Sequence, residues 1–240
     1  MIRLLVVEDN MYQATQIVNY ISQKNNNIKV YGMAYSGRDA LNIIKSKEID
    51  IILLDLKLLE MDGVKIIEEI EKNKIAKYEK SIIIISSYYN MLKDVYNSKY
   101  VYDYFFKPLN YEKMMESINN LIIEHQELLA EDIIKKVSSE LEKLNFNFSY
   151  SGTKYLIDSI YQVYIMNELD SKNLSKKIYP IVAKKYKKIT DTIYGDIKQA
   201  INSMYYDCDE KVLKKYFNYN IAIKPKPKEI IYTVLSKIHT

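Results

Sequence analysis

Leu4-Leu5-Val6-Val7-Glu8-Asp9-Asn10 decides how the front of the chain is read. Four consecutive apolar residues make a run of strand length, and the run stops on two carboxylates. A continuous apolar run suits a strand buried on both faces, as in a parallel sheet. Val30-Tyr31-Gly32-Met33-Ala34, Ile51-Ile52-Leu53-Leu54, Ile82 to Ile85 and Tyr104-Phe105-Phe106 are further runs of this kind. Between them lie apolar residues at helical spacing: Ala14, Ile17, Val18 and Ile21; Ala40, Leu41, Ile43 and Ile44 after Ser36-Gly37; Val64, Ile66, Ile67 and Ile70. Strands alternating with helices predict an α/β doubly wound fold, a five-stranded parallel sheet covered on both sides. Short connections and right-handed crossovers leave few topologies for that order. A last helix of this half is expected from about Tyr111 to Glu124.

The back half has no comparable strand pattern. Ile133, Ile134, Val137, Leu141 and Leu144 keep helical spacing, as do Tyr155, Leu156, Ile160, Val163 and Tyr164. Further faces follow at Leu174, Ile178, Ile181 and Val182, at Ile193, Ile197, Ile201 and Met204, at Val212 and Leu213, and from Ile230 to Ile238. These predict an all-α domain of five or six helices. The polar stretch Glu124-His125-Gln126-Glu127 is taken as the boundary, giving domains 1–125 and 126–240.

Composition narrows the function classes. The 240 residues are 48% hydrophobic and 28% charged, within the range of globular proteins. One cysteine, Cys208, cannot form an internal disulfide, and the opening apolar run is too short for a signal-peptide core. No run approaches a membrane span. A cytoplasmic protein is expected. Residues 1–125 carry 16 basic and 17 acidic side chains, and the rest carry 19 and 14, so the back half holds the positive charge. Only Arg3 and Arg38 are arginine. The basic residues of the back half are therefore all lysine, which lacks the planar bidentate fork of arginine. No Gly-rich nucleotide loop is present, so nothing marks a metabolic enzyme. His125 and His239 are isolated, and neither reads as a metal ligand.

The polar residues that follow the strands carry the chemistry. Glu8-Asp9 follow the first, Asp55 the third, Ser86 the fourth and Lys107-Pro108 the fifth. Ligands of open parallel sheets bind at the carboxyl ends of the strands, where the strand order reverses. If the first and third strands are neighbours, Glu8, Asp9 and Asp55 converge there. Three carboxylates invite a hard cation, and Mg²⁺ suits oxygen ligands. A carboxylate beside that ion can attack phosphorus to form an aspartyl phosphate. The Ser86 hydroxyl and the Lys107 ammonium would then bind phosphoryl oxygens. One Asp after a strand is usually a turn or cap residue. Turn chemistry does not explain the whole set, in order, at successive strand ends.

Val7-Glu8-Asp9-Asn10, Leu54-Asp55-Leu56, Met61-Asp62-Gly63, Ser86 and Lys107-Pro108 resemble the motifs of the receiver domain of two-component response regulators, a flavodoxin-like fold. The resemblance covers about the first half of the chain. It implies Asp55 as phosphoacceptor, Glu8, Asp9 and Asp55 around Mg²⁺, Ser86 as switch hydroxyl, Tyr104 as switch aromatic, Lys107 on the phosphoryl group, and a cis Lys107-Pro108 bond. It also implies a sensor histidine kinase or phosphorelay phosphotransferase as donor, and a homodimer through the receiver on phosphorylation. The only chemistry expected is phosphoacceptance and self-dephosphorylation at Asp55. Two features depart from the family. Leu59 stands where Pro is usual, and bulky residues around Tyr100-Val101 replace a small pair. Tyr88 is placed to shield an acyl phosphate from water.

Tyr179-Pro180-Ile181-Val182-Ala183-Lys184-Lys185-Tyr186, with Gly152 and Tyr155-Leu156 upstream, is similar to the C-terminal domain of the sporulation-initiation response regulator of endospore-forming bacteria. That resemblance implies a helix-turn-helix over about 179–206, with a scaffold helix from about Pro180 to Tyr186 and a recognition helix from about Asp191 to Tyr206. The implied partner is double-stranded DNA, and the implied process is sporulation or related developmental control. The family's arginines are absent, with Thr192, Gly195 and Lys198 at matching positions, so arginine–guanine contacts are unavailable. Gly195 inside the helix costs about 1 kcal/mol relative to Ala. Lys184, Lys185, Lys187, Lys188 and Lys198 can neutralise phosphates, while Thr192, Tyr194, Lys198 and Gln199 are candidate base readers. Asp191 and Asp196 oppose DNA by charge, unless Asp191 serves the helix dipole. A phosphorylation-controlled transcriptional regulator is the leading expectation. The alternatives are a receiver whose degenerate helical domain binds protein, and a phosphate sink. Lys224-Pro225-Lys226-Pro227-Lys228 reads as an extended basic loop.

Overall fold

The computed structural model describes residues 1–168, 170–217 and 223–238. His239 lies outside the described residues. The chain divides into two compact units, Met1–Gln126 and Glu127–Thr240.

In the first unit, β1 (Ile2–Val7), β2 (Ile28–Ala34), β3 (Ile51–Leu54), β4 (Ile82–Ser86) and β5 (Val101–Phe106) pair in parallel in the order β2-β1-β3-β4-β5. The expected sheet is therefore present, and the order reverses between β1 and β3. Side chains alternate across the pleat. Leu4, Val6, Ile51, Leu53, Ile83 and Ile85 face α1 (Met11–Lys24) and α5 (Tyr111–Lys143). Leu5, Val7, Ile52, Leu54, Ile82 and Ile84 face α2 (Gly37–Ser46) and α3 (Gly63–Asn73). The central strands are buried on both faces, whereas edge strand β2 alternates and leaves Tyr31 and Met33 exposed. Side-chain caps start three of the helices: Asn10 accepts from Tyr12 and Gln13 amides, Ser36 from Asp39, and Asp62 from Lys65. A helix of only four residues, α4 (Tyr89–Leu92), lies between β4 and β5.

The last helix of this unit does not stop at Glu124. It runs unbroken to Lys143, so the two expected helical segments are one helix. The polar stretch holds neither Gly nor Pro and consists mainly of good helix formers, so nothing breaks the backbone ladder. His125 within it is buried, stacked on Tyr78 at 4.2 Å, with Nε2 3.0 Å from the Lys80 carbonyl. Burial pushes its pKa down, which keeps it neutral.

The second unit is helical, with the end of α5 followed by α6 (Ser151–Met166), α7 (Tyr179–Tyr186), α8 (Thr190–Asp207), α9 (Glu210–Tyr216) and α10 (Pro227–Ile238). A 3₁₀ turn (Ser171–Asn173) and a π turn (Leu174–Ile178) lead into α7. The core gathers Val137, Leu156, Ile160, Val182, Ile197 and Ile231, one or two from each main helix. α7 ends on Lys187 in the left-handed conformation (φ 53°), whose amide bonds back to the Ala183 and Lys184 carbonyls. Three residues later α8 begins, which is the spacing of a helix-turn-helix. Gly152 on α6 lies so close to α8 that a Cβ would collide with the Asp196 carbonyl. The lysine–proline stretch is only partly extended, because Pro227 opens α10 and Lys226 N–H donates to Glu229 Oε2 at 2.6 Å. Proline is favoured in the first helical turn, where no backbone donor is needed. No helix among the described residues is long and apolar enough to cross a membrane.

Candidate phosphoacceptor and nucleic-acid sites

The reversal of strand order places the ends of β1 and β3 side by side. Val7 pairs with Leu54, and the Asp55 amide donates to the Val7 carbonyl at 2.9 Å. Glu8 and Asp55 thus leave adjacent strands at one sheet edge. Glu8, Asp9 and Asp55 have carboxylate oxygens within 4.8 Å of one another.

Ser86 and Lys107 complete the cluster. The Ser86 hydroxyl donates to Asp55 Oδ1 at 2.8 Å, and the Lys57 amide donates to the same oxygen at 3.0 Å. Lys107 Nζ donates to Asp55 Oδ2 at 2.5 Å and to Glu8 Oε2 at 2.6 Å. Glu8 is 1% exposed, Ser86 2% and Asp55 4%, so these bonds form away from water. Burial opposes charge on Lys107, but the hydrogen bonds to Asp55 and Glu8 outweigh it and raise its pKa. Glu8 is also raised, because burial outweighs its share of Lys107 and the charge of Asp55 adds to the effect. One ammonium serves two carboxylates, so it is well satisfied and Glu8 is not.

That imbalance is a test of fit for a cation. Three carboxylates face one ammonium, which leaves two negative charges uncompensated at the sheet edge. A divalent ion with oxygen ligands matches that deficit, and Mg²⁺ typically uses one or two carboxylates and keeps waters. Glu8, Asp9 and Asp55 fit such an ion.

The loop that carries the Asp55 backbone is held by two close approaches. A Cβ at Gly63 would meet the Asp55 carbonyl at 2.6 Å, and one at Gly37 would collide with the Met61 carbonyl. Leu59, in the usual place of Pro, is exposed, and its carbonyl accepts from Gly37 and Met61 amides around Glu60 at φ 65°. The role of Gly37 was not visible in the sequence, where Ser36-Gly37 read only as a helix start. Tyr104 is 42% exposed and its ring lies 5.9 Å from Phe106, which is 5.5 Å from Tyr89. Phe106 and Tyr89 also escaped the sequence reading, although residues two apart on a strand share a face. The Tyr88 amide donates to Ser86 Oγ at 3.3 Å, with its side chain half exposed. Lys107-Pro108 is cis. Tyr100 is buried in the core of this unit, which uses the bulk that stands where small residues are usual.

The nucleic-acid candidates divide differently. Lys184, Lys187, Lys188 and Lys198 are exposed, as are Tyr194 and Gln199, while Thr192 is half buried. Lys185 is bound within the unit: its Nζ lies 2.9 and 2.8 Å from the two oxygens of Asp158, a buried carboxylate on α6. The Tyr194 ring rests 5.8 Å from that of buried Tyr179, with Lys198 Nζ 5.5 Å from its centroid. Asp191 sits in the first turn of α8, where a carboxylate suits the helix dipole. Cys208 is half buried, and burial followed by Asp209 pushes its thiol up, away from reactivity.

Residues 4–119 match the family model of the response regulator receiver domain, and residues 137–238 match that of the sporulation initiation factor Spo0A C terminal. Similar solved structures include the receiver domain of Francisella response regulator 1452. It is 22% identical over 52% of this chain and 99% of that one, with a TM-score of 0.45. The REC domain of AraT, a response regulator from Geobacillus stearothermophilus, is 19% identical over 53% and 97%, with a TM-score of 0.47. A CheY-like receiver domain protein from Methanospirillum hungatei is 21% identical over 53% and 98%, with a TM-score of 0.45.

Proposed function

The chain is a response regulator that joins a receiver domain to a domain of the Spo0A C-terminal family, and from that premise we propose that phosphorylation of Asp55 controls DNA binding by the helical unit. The observation that carries the proposal is the buried Asp55 carboxylate, held by Ser86 and Lys107 beside Glu8 and Asp9. An oxygen of Asp55 attacks the phosphorus of a phosphohistidine on the donor, a sensor histidine kinase or a phosphorelay phosphotransferase; the O–P bond forms as the P–N bond breaks, and the donor's imidazole leaves. Lys107 then follows the new charge and donates to a phosphoryl oxygen, releasing its hold on Asp55. Ser86 donates to another. Glu8, Asp9 and Asp55 would hold Mg²⁺, which would supply positive charge against the incoming phosphoryl oxygens.

The movement of Ser86 towards the phosphoryl group frees the Tyr88 amide and the aromatic row of Tyr104, Phe106 and Tyr89 on the β5 edge. Repacking of that row favours a receiver homodimer, which brings two helical units to paired half-sites. This is a population shift, and it requires the phosphoryl group to interact differently with the two states. In the helical unit, Lys184, Lys187, Lys188 and Lys198 meet phosphates, and Thr192, Tyr194 and Gln199 meet base edges. The domain boundary near residue 126, a cytoplasmic location, and control of sporulation or a related developmental process belong to the same reading. A second reading, protein rather than DNA as the partner of the helical unit, is favoured by the exposure of Ile181 on α7 and of Ile189 just before α8, Ile189 being 70% exposed.

Incubation with a small phosphoryl donor and Mg²⁺ tests the first step. The expected result is a mass gain of one phosphoryl group in the wild type and none in Asp55→Asn. Equal labelling of Asp55→Asn would place the acceptor elsewhere. Without phosphoryl donor, Mg²⁺ raises the Tm of the receiver, and Glu8→Gln and Asp9→Asn weaken that rise. At a hundredfold excess over Kd, binding to the folded state is worth about 2.7 kcal/mol.

A further inference from the structure

Two glycines sit inside helices of the second unit, and the structure treats them oppositely. Gly152 has a reason within the fold, because any side chain there would strike the Asp196 carbonyl of α8. Gly195 has none. It lies in the interior of α8, its φ is not positive, and a Cβ built on it meets nothing within 4 Å. It is exposed, and so are its neighbours on the helix surface, Asp191 one turn before and Lys198 and Gln199 one turn after. An interior helical glycine is less stable than alanine, because it loses more backbone freedom on folding. Packing gives no return for that loss at residue 195.

We propose that Gly195 is the point of closest approach between α8 and duplex DNA, and that its missing side chain lets the helix backbone lie against the major-groove edge. The inference rests on the DNA-binding reading and deepens it. The surroundings of Gly195 fit such a contact. Tyr194 is held from behind by Tyr179 and from the side by Lys198, so its ring stands as a fixed wall beside the bare backbone. Lys198 and Gln199 lie one turn further on, within reach of a phosphate and a base edge. Gln pairs with the N6 and N7 positions of adenine, a contact that does not need arginine. A helix that cannot use arginine to reach a guanine from a distance gains reach by moving its backbone closer.

The test uses the full chain and its variants Gly195→Ala and Gly195→Leu. Binding is measured on duplexes that the wild type retains from a random DNA library, at several salt concentrations. Both variants are expected to melt higher than the wild type without DNA, by about 2 to 4 °C. Gly195→Leu is expected to bind at least tenfold more weakly, with the salt slope unchanged because phosphate contacts remain. Undiminished binding by Gly195→Leu would overturn the inference and leave the DNA-binding reading intact. Lowered melting of Gly195→Ala would also overturn it, since the glycine would then be structural. Failure of the wild type to retain any duplex at low salt would remove the DNA-binding reading itself, and this inference with it.

Discussion

In the receiver, the functional side chains hold one another. Asp55 accepts from Ser86, Lys57 and Lys107, and Lys107 also bonds to Glu8, all near the ends of buried strands. In the helix-turn-helix, the candidate residues point outward, and only Lys185 is tied to a buried carboxylate, that of Asp158. The difference is what the proposed function asks of each region. A carboxylate that is to form a bond with phosphorus needs its donors in place beforehand, because preorganisation is most of the catalysis. A surface that is to meet a polyanion is completed by that partner, so its lysines stay solvated until contact.

The comparison can be broken most severely inside the helical unit, at the contact that positions α8. Gly152→Ala should lower the stability of that unit by about 3 kcal/mol, since backbone rather than a flexible side chain occupies the space. Urea unfolding of the full chain, with the helical and sheet transitions followed separately, measures this. A tolerated Gly152→Ala would mean that the α6–α8 contact does not set the position of α8.

Acid sharpens the receiver side. Asp50 is buried at the opposite end of the sheet. Burial alone would raise its pKa, but hydrogen bonds from Arg3 and Lys77 bring it down to about 2. A folded pKa below the unfolded value of about 4 gives stability that is complete above pH 4 and lost as pH falls through 2. The contribution is about 2 kcal/mol at neutral pH. The stability gap between wild type and Asp50→Asn should therefore be widest above pH 5 and should shrink below pH 4. A gap that stays constant across that range would show that the carboxylate charge is not what the wild type uses.

The smallest effects separate the lysines. Replacement of Lys184, Lys187 or Lys188 by alanine should each reduce the slope of log affinity against log salt by about 1, with little change in Tm. Lys185→Ala should instead lower the Tm, because it leaves Asp158 buried without its cation. Equal salt effects at all four positions would erase the distinction between the bound lysine and the free ones.

Much of the receiver was legible because its determinants are local. Apolar runs marked the strands, and the residues after the first, third, fourth and fifth runs marked the candidate site. Edge strand β2 departs from that pattern: its apolar run suggests burial on both faces, but Tyr31 and Met33 are exposed. The polar stretch 124–127 suggests two helical segments, but polarity alone does not break a helix, and α5 runs through it. A helix ends at a cap, a glycine or a proline, and that stretch has no breaker. The lysine–proline stretch misled in the opposite direction, since Pro227 begins a helix rather than preventing one.

The sequence by itself determined the alternation of strands and helices, the carboxylates at the strand ends, and a back half whose positive charge is lysine alone. Those are statements about residue type and spacing, and periodicity carries them. Only the tertiary structure decided that Lys107 is shared by Glu8 and Asp55, residues 99 and 52 positions away. It alone decided that Lys185 belongs to Asp158, and that Gly152 is required by packing while Gly195 is not. Spacing tells which face of an element is buried. Which atoms meet that face is settled by packing between segments far apart in the chain.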